Sequence, residues 1–326
     1  MIETPRIIND PVWGKAVISE QVLLEIMDSP EMQRTKGISQ MGVPSEQHHL
    51  EVLFRFDHMI GAMLSIFKIN GSLSEKIKAL THDINHTAFS HLPDWINERE
   101  GKQDFQDDTL SKFLRRSSIP GILDKYGFDI EDFFKEEDFP LSEQEAPKLC
   151  ADRLDYGLRE MSVSFKHNEM VRTCVDSLTT FEGRMVFGNS YAAKTFGWGF
   201  LELWDNDWNS RQSLGQHLLF RDILKTGLDR EVISWDDFKI DDDFVLNKIN
   251  LSKDQSLIDR LRNLKLPIDQ NPDLVTIKGH HPPHKFRWVD PEFMTNNGLI
   301  KLTEIDDFYK NTIAQRMESA KQGYVI

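Results

Sequence analysis

The chain has 326 residues, of which 39 % are hydrophobic and 28 % charged, enough for a sizeable core in one large domain or two ordinary ones. Its 53 Asp and Glu outnumber 39 Lys and Arg, and the formal charge of −14 excludes a general electrostatic surface for nucleic acid while leaving room for a local basic pocket. The 21 Phe and seven Trp exclude disorder, no apolar run spans a bilayer, and two Cys, Cys150 and Cys174, cannot build a disulfide framework or a four-thiolate zinc site. The opening Met1-Ile-Glu-Thr-Pro has neither a basic nor an apolar leader segment, so the expected location is cytoplasmic.

Residues 17 to 41 read as helical, with Val22, Leu23, Ile26 and Met27 on one stripe. The stripe breaks at Asp28-Ser29-Pro30, where Asp28 or Ser29 can cap a second helix that has Pro30 in its first turn. His48-His49 reads as a solvated loop. Residues 53 to 68 read as a buried helix, and 73 to 91 as another, opening at Ser74-Glu75 and running through Ile77, Leu80 and Ile84. Residues 92 to 147 are mixed, with a short helix near 108–116 and an acidic stretch at 129–138. Pro147 precedes a strong helix from about Leu149 to Val163.

The second half is less regular. Residues 179 to 188 alternate around a Glu-Gly turn, which predicts a β-hairpin. Residues 190 to 230 read as helical, with Phe196, Trp198, Phe200, Trp204 and Trp208 as a core stripe. Residues 273 to 290 read as two short strands around a Pro-rich loop. The expected fold is mainly α, a helical core over residues 1–165 with a small β-containing C-terminal extension over 166–326, packed together.

Chemistry concentrates in His58, His82-Asp83, His86, His91, Asp94 and Asp152. Imidazole and carboxylate together suit a transition ion better than calcium. On one helix His82 and His86 would share a face at i, i+4, and a His from the preceding helix and an Asp from a later one can complete a ligand set. Arg55 lies three residues before His58, on the same side. Burying so many titratable groups beside apolar helices is too costly without metal or anion partners.

The sequence resembles the HD-domain phosphohydrolases. The pattern H…HD…D is present as His58, His82-Asp83 and Asp152. The lead-in Asn9–Gly42, the "RFDH" of Arg55–His58, the "LTHDINHTAFSHLPD" of Leu80–Asp94 and the "ADRLDYGLRE" of Ala151–Glu160 are similar to the deoxynucleoside triphosphate triphosphohydrolase branch. The resemblance implies one divalent metal ion (Mn, Fe, Zn, Co, Ni or Mg) on His58, His82, Asp83 and Asp152. It implies His91, oriented by Asp94, as the catalytic histidine and His86 along the phosphate path. Arg55 and Arg153 would hold phosphate oxygens, Tyr156 would pack on the sugar, Glu160 would approach the 3′-hydroxyl, and Gln40 would face the sugar. The implied substrate is a nucleotide or other small phosphate ester, with a deoxynucleoside triphosphate leading. A phosphatase or phosphodiesterase on another ester, or a nucleotide-sensing scaffold, is the alternative, and homo-oligomerisation is left open.

Three departures stand out. Gln106 occupies the segment where the branch commonly has a second active-site His, Asn85 replaces the usual Gly after the HD pair, and Glu160 replaces Asp. Among weaker signals, His280-His281-Pro-Pro-His284 reads as a polar loop, Asp236-Asp237 and Asp241-Asp242-Asp243 as solvated faces, and Cys150 as a small buried hydrophobe.

Overall fold

The computed structural model describes residues 4–44, 48, 51, 53–102 and 105–326, the side chains of Phe105 and Asp107 excepted, so His49 lies outside the described residues. The chain opens with an antiparallel hairpin, β1 (Arg6–Asp10) and β2 (Gly14–Ile18). Asp10 closes its turn by accepting from the backbone N–H groups of Val12 (2.8 Å) and Trp13 (2.9 Å). Residues 17 and 18 are therefore strand and not the start of a helix. Helix α1 (Gln21–Asp28) and α2 (Pro30–Arg34) meet at Ser29, whose hydroxyl accepts from Met32 N at 3.3 Å with Pro30 in the first turn.

Three helices frame the site: α3 (Arg55–Lys68), α4 (Leu73–Thr81) and α8 (Ala151–Val163), with α3 packed against the other two. Gly61 of α3 is needed for that packing, because a Cβ there would overlap the side chains of Asp155 and Arg159 on α8. Between them lie α5 (Leu92–Ile96), α6 (Phe105–Leu114) and α7 (Ile119–Lys125).

The helix expected over 73–91 ends at Thr81, and residues 82–91 form turns. His82 and His86 thus do not share a helical face. Tertiary contacts hold the turns: Arg34 donates to Ile84 O (3.0 Å) and His86 O (2.7 Å), and Ala88 N donates to Phe238 O (2.8 Å). Phe89 (φ 62°) and Ser90 (φ 50°) adopt the left-handed conformation that few side chains favour.

The second half continues with α9 (Asn168–Ser177) and the expected hairpin, β3 (Leu178–Phe181) and β4 (Arg184–Phe187), turning at Glu182 (φ 48°) and Gly183 (φ 73°). Helix α10 (Ser190–Leu203) runs through a π-helical turn, Trp204–Trp208, towards α11 (Arg211–Asp229). Then follow α12 (Asp242–Asn250), α13 (Gln255–Asn263), α14 (Leu274–Ile277), β5 (His280–His281), β6 (Glu292–Thr295), β7 (Gly298–Lys301), α15 (Leu302–Ile305), α16 (Asp307–Lys321) and β8 (Tyr324–Val325). The main sheet has the order β3-β4-β6-β7, with β4 and β6 parallel, and β5 pairs with β8. The stretch 273–290 is therefore a short helix, a two-residue strand and an irregular segment, since its prolines leave few N–H groups for a ladder.

The architecture is mainly α with a small strand-containing C-terminal part. One buried cluster joins Leu154, Leu158 and Met161 of α8 to Phe187, Phe196 and Phe293, and a second joins Phe89, Leu92 and Trp95 to Leu218, Phe220 and Phe238. Residues from the C-terminal half thus back both the site helix and the turns after α4. Among the described residues, no helix is long and apolar enough to cross a membrane.

Candidate metal centre and the pocket beside it

His58 lies one turn into α3, His82 and Asp83 follow the end of α4, and Asp152 lies in the first turn of α8. Their candidate ligand atoms all fall within 4.8 Å of one another. His58 Nε2 is 3.2 Å from His82 Nε2, 3.1 Å from Asp152 Oδ1 and 3.7 Å from Asp83 Oδ2. His82 Nε2 lies 3.4 Å from both carboxylates.

The outward nitrogens fix what the inward ones present. His58 Nδ1 donates to Asp155 Oδ2 at 2.9 Å, and His82 Nδ1 donates to Ala79 O at 2.7 Å. With those N–H groups engaged, both neutral rings aim an Nε2 lone pair at the same point, where two carboxylates also converge. Such a concentration of lone pairs demands positive charge. Burial alone would depress the His82 imidazole, but Asp83 and Asp152 outweigh it and hold the group up at about 10. A divalent ion would meet the same demand with all four donors at once, and the mixed nitrogen and oxygen set fits a transition metal.

Behind His58, Asp155 is a buried junction absent from the sequence expectations. It accepts from Trp13 Nε1 (2.7 Å) and from Arg159 Nε (2.9 Å) and NH2 (2.8 Å), and Arg159 also donates to Asp10 at 2.9 Å. Its signal was the i, i+3 spacing from Asp152 within "DRLDY".

In front of the cluster, buried Arg55 links it to His91. Its NH1 pairs with Asp83 Oδ2, its NH2 lies 3.2 Å from His91 Nε2 and 3.3 Å from Gln40 O, and its Nε donates to Ser90 Oγ at 2.8 Å. Gln40 is buried, and among the described residues its Oε1 has no hydrogen-bond partner. His86 Nε2 lies 3.4 Å from Asp83 Oδ1, and its ring meets His91 edge to face at 5.0 Å. Burial, with Arg55 adding to it, pushes His86 down to about 4 and holds His91 well below the ordinary imidazole range. His91 Nδ1 stands 3.9 Å from Asp94 Oδ2, beyond hydrogen-bond reach.

Tyr156 lies one turn beyond Asp152, 5.7 Å from Trp208 between ring centres. Glu160, a turn further, accepts from Trp208 Nε1 at 2.7 Å, and burial together with Asp207 pushes its carboxyl up to about 8. Arg153, expected beside Arg55 on the phosphates, is engaged elsewhere: it donates to Lys148 O, to Gln144 O (3.0 Å) and towards Cys150 Sγ (3.4 Å). The reason is the turn before α8, which brings the carbonyls of Gln144 and Lys148 against the guanidinium. Glu143, Cys150 and Asp152 form a second potential ligand group, but the Arg153 cation already lies on it. The Gln106 main-chain O accepts from Asn85 Nδ2 at 2.7 Å, which sets α6 against the turn after Asp83.

Two contributors come from the second half. Asp242, expected on a solvated face, is buried and accepts from Ser39 N (2.9 Å), Ser39 Oγ (2.6 Å) and Phe89 N (2.7 Å). Ser39 O in turn accepts from Ser90 Oγ at 2.6 Å, the hydroxyl that holds Arg55. Asp237 is also buried and accepts from Ser234 N at 2.7 Å. Both acids terminate chain segments docked on the core, a role that an acidic run does not announce. The other contributor is Arg287, whose guanidinium carbon sits 5.7 Å from the centre of the Tyr156 ring.

No family model matches the chain. It is 32 % identical over 323 residues to the uncharacterized protein YdhJ of Bacillus subtilis, covering 98 % of both chains. It is 28 % identical over 300 residues to the metal-dependent phosphohydrolase cns2 of Cordyceps militaris, covering 88 % of this chain and 84 % of that one. To the human deoxynucleoside triphosphate triphosphohydrolase SAMHD1 it is 25 % identical over 171 residues, which is 42 % of this chain and 26 % of the relative. Among solved structures, a hypothetical protein from Aquifex aeolicus superposes with a TM-score of 0.67 at 18 % identity, covering 94 % of this chain and 93 % of the other. A phosphohydrolase from Bacteroides thetaiotaomicron gives 0.62 at 16 % identity, covering 94 % and 95 %. At those identities the two structures speak for the fold. The chain resembles the HD-domain metal-dependent phosphohydrolases, and over part of its length their deoxynucleotide branch. It is a hydrolase whose cofactor is a divalent metal ion, the element itself being open.

Proposed function

We propose that the protein hydrolyses a phosphate ester of a nucleotide, with a deoxynucleoside triphosphate as the leading substrate. The observation that carries this reading is the continuity of the site: two oriented imidazole lone pairs and two carboxylates, joined through Arg55 to the half-buried His91 3.2 Å away. A metal ion on His58, His82, Asp83 and Asp152 would supply Lewis-acid charge to a phosphoryl oxygen and acidify water.

The chain's own groups do the rest. Arg55, its guanidinium held by Asp83, Ser90 and Gln40 O, places positive charge beside the cluster where phosphate oxygens would lie. His91 carries the proton to the leaving oxygen and regains basicity afterwards. A phosphate dianion beside the ring favours the imidazolium that burial and Arg55 disfavour in its absence. Asp94 backs His91, and His86 borders the phosphate path. Tyr156 offers a flat face for a sugar, with Gln40 beside it. Glu160, held by the Trp208 indole, meets a distal hydroxyl. Support for the deoxynucleotide comes from the partial similarity to SAMHD1 together with the motifs that resemble that branch.

One observation favours a second ester substrate. Gln106 is a neutral amide on the element that contacts Asn85, so a triphosphate has one cationic partner fewer there. The deciding experiment is metal analysis of the purified protein, followed by product analysis over nucleotides and simple phosphate esters with Mn and Mg. Release of inorganic triphosphate from deoxynucleotides supports the leading reading, and release of orthophosphate from monoesters alone replaces it with the second. No turnover of any ester by metal-loaded protein refutes both.

A further inference from the structure

Arg287 lies on the irregular segment that follows the His280–His284 run, and both flanks of that segment are fixed. Upstream, His284 stacks on Trp204 (ring centres 4.9 Å apart, planes at 15°), and its Nε2 is 3.0 Å from Asn209 Oδ1. Downstream, Tyr309 donates to Val289 O at 2.7 Å and Asp290 N donates to Pro147 O at 3.0 Å. Between these anchors the Arg287 guanidinium is carried over the Tyr156 ring at 5.7 Å. The segment thus spans from the π-helical turn to the chain leading into α8, and Arg287 is the residue it delivers to the pocket.

From there its charge acts on Arg55, His91, Tyr156 and Glu160. The Arg55 and Arg287 guanidinium groups repel each other, and an anion between them would relieve that repulsion. A protein of charge −14 needs such local positive charge to draw a phosphate in. Contact with an aromatic face steadies a guanidinium, and its planar fork is of the kind that matches oxyanions.

We propose that Arg287 is a substrate-binding residue through which the C-terminal half grips non-bridging phosphate oxygens of the substrate, completing an anion site begun by Arg55. The anion is identified by its chemistry, a phosphate or polyphosphate group. Its being part of a hydrolysed ester rests on the function proposed above.

The test uses the full-length, metal-loaded protein and Arg287→Met, which keeps length and an apolar contact with Tyr156, with Arg287→Lys as a second variant that keeps the charge. Calorimetric titration with inorganic triphosphate and orthophosphate reads binding without turnover. Arg287→Met is expected to weaken triphosphate binding roughly ten- to a hundredfold, the range for losing a charge-assisted hydrogen bond or two, with metal content unchanged. Arg287→Lys is expected to recover part of the loss and to show a steeper salt dependence than Arg287→Met, in which KM for an accepted ester should rise more than kcat falls. Unchanged affinity and KM in Arg287→Met would overturn the proposal, as would a wild-type protein that binds neither anion. Should Arg287→Met fail to fold, wild-type affinity and unaltered KM in Arg287→Lys would overturn it, because a point charge does not replace a guanidinium fork. A wild-type protein that turns over no ester but binds triphosphate through Arg287 would refute the hydrolytic reading and support the anion site. Hydrolysis with an indifferent Arg287 would do the reverse.

Discussion

Two histidine-rich regions of this chain look alike in sequence and differ in chemistry. In the first, His58 and His82 direct their Nδ1–H groups outward to Asp155 and Ala79 O, so their Nε2 lone pairs face each other across 3.2 Å with Asp83 and Asp152 alongside. In the second, Nε2 itself is engaged: His280 donates to Gln322 O (2.7 Å) and His281 to Ile277 O (2.6 Å), while His284 meets Asn209. Burial pushes His284 down to about 3, so it is a neutral stacking ring. What separates a metal centre from a structural histidine cluster is thus not the number of imidazoles. It is which nitrogen has already found a partner, and whether carboxylates share the space the other one faces.

The contrast can be broken most severely at Asp83. Asp83→Ala removes a charged ligand and the partner of Arg55, and should abolish both bound metal and turnover, read by elemental analysis and product release. Retention of one metal per chain would place the ion elsewhere. Next, His91→Ala should keep the metal yet lower kcat by about 10²–10⁴-fold, the usual worth of general acid–base help, with KM changing much less. Asp155→Asn tests the outward partner alone: metal affinity should fall about 10–100-fold by titration although no ligand is touched.

Asp242 sharpens the comparison from the other half of the chain. Burial pushes its carboxyl up to about 7, with Asp241 adding to the rise, while Ser39 and Phe89 N–H groups oppose it; Arg34 is the facing cation. The folded state therefore keeps a proton that the unfolded chain releases near the ordinary Asp value. Stability should fall as pH rises between about 4 and 7, by up to about 1.4 kcal/mol per pH unit from this group. Asp242→Asn should flatten that slope in denaturant titrations at several pH values. The smallest effect belongs to the second cluster: His280→Ala with His281→Ala should leave metal stoichiometry unaltered, and a loss of metal there would erase the distinction drawn above.

The residues of the metal cluster were legible because their types and spacing are local facts, and Ser29 and the Glu182-Gly183 turn likewise announce themselves. The end of α4 was not. Leu80, Ile84 and the apolar rhythm continue past Thr81, and contacts from distant segments, among them Arg34, Phe238 O and Asp242, hold the chain in turns there. Arg153 shows the reverse: its place in a motif suggests an anion, and in the structure its guanidinium donates to the carbonyls of Gln144 and Lys148. Arg287 and Asp242 sit in stretches whose composition reads as solvated loop or face. Their importance comes from the pairing of distant segments, which one sequence does not display.

The β1–β2 hairpin has a practical bearing on how the molecule is cut. Asp10 and Trp13 at its turn hold Arg159 and Asp155, the pair that aims His58. A shortened form that starts at the first ligand-bearing helix would contain every donor and still release the proton-side support of one of them. Boundaries for expression, labelling or fusion therefore belong upstream of Arg6, with any added tag kept clear of the turn that shields this support from water.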